Sequence, residues 1–95
     1  MRVLKMTSTA QRAINTGAAI YVGRPSPWGN PFSERKHGRL PCIEMFEQLA
    51  RSSHPSCELM REWLAPLAGH DLVCWCDPLP CHAHVLIALM EEFGV

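Results

Sequence analysis

Residues 72–82, Leu72-Val73-Cys74-Trp75-Cys76-Asp77-Pro78-Leu79-Pro80-Cys81-His82, decide how the chain is read. Leu72 to Cys76 is an uninterrupted apolar run between turn signals, the pattern of an interior strand covered on both faces. Asp77-Pro78-Leu79-Pro80 turns the chain, since proline fixes φ and removes a backbone donor. A helix then begins near Cys81 and carries Val85, Leu86, Ala88, Leu89 and Phe93 before Gly94.

Working outward, Ala19-Ile20-Tyr21-Val22, closed by Gly23, reads as a second strand, and Arg2 to Met6 as a first. Residues 7–18 are polar and small with no clear period, and are expected to form a loop or a short helical turn. Pro41 suits the first residue of a helix, after which Cys42, Ile43, Phe46, Leu49 and Ala50 repeat at helical spacing. Ser52-Ser53-His54-Pro55 interrupts that pattern. Ser56 is placed to cap another helix, with Leu59, Met60, Trp63, Leu64 and Leu67 on its buried face and Pro66 and Gly69 at its end. The order strand, strand, helix, helix, strand, helix predicts an α/β fold: a small three-stranded, largely parallel, Rossmann-like sheet flanked by helices. If the second and third strands are parallel neighbours, loop 23–32 and loop 77–80 both leave carboxyl ends of strands, the edge where open α/β sheets bind ligands.

Ninety-five residues are expected to form a single compact domain, 1–95, because two cores do not fit in a chain of this length. With 47% hydrophobic and 19% charged residues, the composition is that of a globular protein, not a disordered or coiled-coil one. No apolar run approaches the ~20 residues of a membrane-spanning helix, and the first residues lack the apolar core of a secretion signal. A cytoplasmic setting is expected. The net charge of zero hides a division: residues 1–39 hold seven basic side chains and one acid, and residues 40–95 hold two basic and eight acidic ones. Such asymmetry fits an internal match between halves, a basic face for an anionic partner, or ordinary solvated surface. Five cysteines, three of them between residues 74 and 81, are an odd and clustered set. That argues for thiols serving a metal or a reaction, not for a disulfide scaffold.

Three readings of that cluster compete. Cys74, Cys76, Cys81 and His82 have the number and type of donors for tetrahedral zinc, with an iron–sulfur cluster as the lesser alternative. Cys81, at a helix N-terminus that favours a thiolate, with His82 beside it, is a candidate catalytic nucleophile or half of a redox pair with a strand cysteine. In the third reading Cys74 and Cys76 simply pack in the core and His82 lies on the surface. Across the expected hollow, Arg24 is placed to clamp a phosphate, Trp28 to stack on a base and Asn30 to hydrogen-bond its edge. The competing role for Trp28 and Phe32 is to anchor a long proline-rich loop to the core. His84 is expected to be exposed, and Cys42 and Cys57 to pack near helix starts.

The two segments 20–32 and 73–86 together resemble a known family, domain of unknown function family 4326, whose members are small bacterial and bacteriophage proteins. Its pattern falls on Gly23, Arg24, Trp28, Gly29, Asn30, Pro31 and Phe32 in one loop, and on Cys74, Trp75, Cys76, Pro78, Cys81 and His82 in the other. The resemblance implies a phage or bacterial cytosolic setting and one site shared by the two loops; Gly23, Arg24, Trp28, Gly29 and Asn30 are the candidate ligand-binding residues on its loop 23–32 side. The leading expectation is therefore a pocket for a phosphate-bearing, nucleotide-like ligand. The alternatives are an accessory protein that binds a host protein through a surface whose cysteines are structural, a Cys81-dependent thiol enzyme, and nucleic-acid binding through the basic N-terminal half. The zero net charge speaks against the last.

Overall fold

The computed structural model describes residues 2–75 and 81–95. It has strand β1 (Val3–Lys5), helix α1 (Ser8–Thr16), strand β2 (Ala19–Tyr21), helix α2 (Glu34–His37), helix α3 (Arg39–Ser53), helix α4 (Cys57–Leu64), a 3-10 turn (Ala65–Leu67), strand β3 (Asp71–Cys74) and helix α5 (His82–Phe93). The sheet order is β1-β3-β2 and both pairings are parallel, so the last strand in sequence is the central one. Leu72 stands between Val3 and Ile20, and Val73 between Leu4 and Tyr21.

Alternation along β3 divides the core into two layers. Val73 packs with Ala10 and Ala19 under α1, while Leu72 and Cys74 join Phe46, Leu64, Leu86 and Leu89 beneath α3, α4 and α5. Leu72, Val73 and Cys74 are essentially inaccessible, as expected of a strand covered on both faces. The result is a three-layer α/β/α arrangement around a parallel sheet.

The helix starts obey capping chemistry. Ser56 accepts a hydrogen bond from the Leu59 amide at 3.1 Å, and Ser33 accepts one from Lys36 at 3.3 Å. Pro41 lies inside the first turn of α3, which begins two residues earlier, at Arg39. Residues 7–18 differ from the expectation: they form a full helix, α1, not a loop. Thr7 caps it by accepting from the Ala10 amide at 3.1 Å, and Gly17 closes it at φ 83°. Its buried face is narrow, Ala10 with Ala13 and Ile14 beside it, so the helical period is carried by few and small apolar side chains. On the opposite face of the sheet, Arg51 joins α3 to α5 through Glu92 (2.7 Å) while also contacting Glu47 (3.0 Å). Among the described residues, no helix is long and apolar enough to cross a membrane.

A candidate ligand hollow at the carboxyl ends of β2 and β3

Beyond Tyr21 the ladder continues for one more bond, from the Val22 amide to the Val73 carbonyl at 3.0 Å. The chain then enters loop 23–32, which folds back on itself. The Ser26 amide donates to Gly23 O and the Gly29 amide to Ser26 O. A Cβ on Gly29 would lie 3.1 Å from Gly23 O and 3.2 Å from Arg24 Cα, so a side chain there would push these backbone atoms back by a few tenths of an ångström. Asn30 ties the far side: its Nδ2 donates to Cys42 O (3.1 Å) and its Oδ1 accepts from the Phe32 amide (2.9 Å). Arg24 Nη2 donates to Phe32 O at 3.1 Å and closes the ring.

Trp28 points the other way. Its Nε1 donates to Trp63 O at 2.9 Å, and Trp63 Nε1 donates back to Pro27 O at 3.3 Å, so the loop is stapled to α4 by two indoles. Of the two roles read for Trp28, the structure gives it the anchoring position. Trp28 and Gly29 do not line the hollow described next, and the Asn30 amide is engaged at both ends.

At the carboxyl edge of the sheet lies a hollow of about 410 Å³. Loop 23–32 contributes Gly23, Arg24, Asn30 and Phe32, and the strand ends contribute Tyr21, Cys74 and Trp75. Cys81 and His82 enter from the start of α5, Cys42 and Ile43 from α3, and Glu34 and Arg39 sit at the α2–α3 junction. The two sequence-distant segments thus meet over one cavity. Trp75 Nε1 donates to Tyr21 Oη (3.1 Å), and that hydroxyl donates to Arg24 O (2.9 Å), a relay linking the ends of β3 and β2. Trp75 remains 63% exposed, so most of its ring is open to a ligand. Arg39 pairs with Glu34 at 3.0 Å.

His82 is buried, not on the surface, and its Nε2–H donates to the Val22 carbonyl at 2.7 Å. Burial depresses its basicity, the hydrogen bond to Val22 opposes this, and the nearby charges of Arg24 and His84 add to the depression. The imidazole is therefore neutral at pH 7, edge-on to the Phe46 ring at 5.1 Å. His84 is exposed, as expected, yet it serves the helix start. Its Nδ1 accepts from the Cys81 amide at 3.2 Å and so caps α5.

Cys74 and Cys81 are both buried, with their sulfurs 3.2 Å apart. Two sulfurs on one tetrahedral zinc stand roughly 3.8 Å apart, given Zn–S bonds near ~2.3 Å. His82 has already committed Nε2 to a carbonyl, and among the described residues no three His, Cys, Asp or Glu side chains are arranged for a metal ion. The described donors do not by themselves assemble a zinc centre. The expected fourth ligand, Cys76, lies outside the described residues, as does the turn 77–80.

Several hollow-lining residues carried no signal of their own in the sequence. Tyr21 and Trp75 read as strand residues, Cys42 and Ile43 as helix packing, and Glu34 and Arg39 as charges in a polar stretch. What could have marked Arg39 is its place two residues before Pro41, at a helix start beside a proline-rich loop.

The chain has recognisable relatives. It is 31% identical over 73 residues to a protein of Enterobacteria phage T4 described as "Uncharacterized 12.4 kDa protein in nrdA-td intergenic region", a match covering 77% of this chain and 68% of the phage protein. No solved structure matches the chain significantly. The family described as "Domain of unknown function (DUF4326)" matches residues 5–92, nearly the whole sheet-and-helix unit and both loops of the hollow, and the chain belongs to that family.

Proposed function

We propose that the chain binds a small phosphate-bearing ligand of nucleotide type in the hollow at the carboxyl ends of β2 and β3. The observation that carries this reading is the meeting of the two loops over one cavity that combines aromatic rings with an arginine. The volume, about 410 Å³, falls within the ~300–1,000 Å³ of small-ligand pockets. Tyr21, Phe32 and Trp75 offer π-faces for a planar base. Arg24 spends one donor on Phe32 O and has no carboxylate partner among the described residues, so its remaining N–H groups can meet phosphate oxygens. The first amides of α5 add positive potential at the same edge. Gly23 and Asn30 shape the wall, and the neutral His82 adds a polar group to the floor without a second charge.

The test is calorimetric titration of the full chain with nucleoside mono- and diphosphates, with inorganic phosphate as the minimal probe. Binding at sub-millimolar concentration is expected. Arg24→Gln should weaken it at least tenfold, and Trp75→Ala severalfold, with affinities compared well below each variant's melting transition because each substitution also removes one exposed hydrogen bond. No heat with any nucleotide at millimolar concentration, or affinity indifferent to Arg24→Gln, overturns the proposal.

A further inference from the structure

We infer that Cys74 and Cys81 form a reversible dithiol–disulfide pair on the floor of the hollow, reached by small-molecule disulfides through that opening. The sulfurs are 3.2 Å apart, one at the end of the central strand and one at the start of α5. A disulfide needs ~2.05 Å, so bond formation asks the two sulfurs to approach by only about 1.1 Å. Both residues line the hollow, and each is at most 3% exposed with the cavity side counted, so a reagent entering the hollow meets these sulfurs when its wall opens locally. Cys81 is the attacking member, because the amides at the start of α5 favour negative charge on its sulfur.

In the exchange, Cys81 gives up its proton, and its thiolate attacks one sulfur of R–S–S–R, forming a Cys81 mixed disulfide and expelling RS⁻. Cys74 then loses its proton to solvent and attacks the Cys81 sulfur, expelling the second RS⁻. The two released thiolates take up the two protons. The cysteines are oxidised by two electrons and the reagent is reduced to two thiols; a dithiol reverses the sequence.

This inference is independent of nucleotide binding, since its readout is a map of sulfur bonds. The reduced full chain is incubated with hydroxyethyl disulfide, quenched by alkylation, and analysed by peptide mass spectrometry without reduction. The expected result is a Cys74–Cys81 cross-linked peptide pair in place of those two free thiols, distinct from any mixed disulfide on the exposed Cys57, with full reversal by dithiothreitol. In Cys74→Ser the reagent should leave Cys81 as a mixed disulfide, with no cross-link to it. Should that variant not fold, the wild-type map decides alone. A bond from Cys74 or Cys81 to another cysteine instead, both thiols still alkylatable after prolonged oxidation, or protection of both by a stoichiometric metal ion overturns the inference.

Discussion

Trp28→Phe separates an anchor from a ligand contact at the most conspicuous residue of loop 23–32. The indole Nε1–H donates to Trp63 O at 2.9 Å, and the ring packs half-buried against the main core. Phenylalanine keeps an aromatic ring but removes the donor, leaving the Trp63 carbonyl short of one partner. The lost hydrogen bond costs about 1 kcal/mol net, and the missing part of the bicyclic ring adds roughly as much again through an imperfectly filled site. A total near 2 kcal/mol lowers the melting temperature by about 8–16 °C in a domain of this length. The assay is thermal and urea unfolding followed by circular dichroism, with nucleotide affinity measured well below the melting transition. The expected outcome is a large loss of stability with affinity changed less than about twofold. An unchanged melting temperature together with a tenfold loss of affinity would refute the reasoning, since Trp28 would then be meeting ligand and not α4.

The same geometry makes further substitutions informative. Gly29→Ala puts a methyl 3.1–3.2 Å from backbone atoms of Gly23 and Arg24, so the loop must shift; a loss of about 1–3 kcal/mol is expected in urea unfolding. Asn30→Asp keeps the acceptor for the Phe32 amide but turns an anionic oxygen toward Cys42 O, and unfolding should show it less stable than wild type by about 1–3 kcal/mol. His82 is less basic folded than its ordinary 6.5, so the unfolded chain binds more protons below that pH. Stability from this group is full above about pH 6.5 and is lost as pH falls through the depressed folded value. Melting curves between pH 7.5 and 5 should show that decline in wild type and a flatter profile in His82→Gln; an identical slope in both would remove His82 as the cause.

The fold was largely legible because its strands announce themselves by burial. Leu72-Val73-Cys74 is apolar on both faces and proved central, and the interval from Val22 to Leu72 leaves room for the crossover that makes β2 and β3 parallel. Helix α1 was missed although its residues segregate at helical spacing, since the apolar face that covers the sheet is only Ala10, Ala13 and Ile14 in an otherwise polar stretch. Its ends were nonetheless written as Thr7 and Gly17, the two positions that supply the side-chain cap and the left-handed closure. At the site, convergence of the loops could be read from strand direction alone. The inward or outward turn of Trp28 could not, because one proline-rich loop offers an indole to either side and only the distant Trp63 decides.

The divided charge of the chain bears on which anion fits. Arg2 pairs with Asp71 across the two halves, but Arg39 pairs with Glu34 within the basic half and Arg51 with Glu47 and Glu92 within the other segment. Among the described residues, the ion pair that joins the two halves is Arg2–Asp71. Screening confines the influence of the surplus cations in residues 1–39, since exposed charges more than about 8–10 Å apart barely interact at physiological salt. What a ligand in the hollow meets is Arg24, with Arg39 at the rim already sharing Glu34. One or two phosphate contacts predict a shallow salt dependence: raising salt from about 0.05 to 0.2 M should weaken nucleotide binding severalfold. A nucleic acid tracked along six or more phosphates would instead lose about a thousandfold or more over that range. Titration with a mononucleotide and with an oligonucleotide at both salt concentrations distinguishes the two. A steep slope for the oligonucleotide, with no mononucleotide binding at either salt, would move the site from this hollow to the basic surface of residues 1–39.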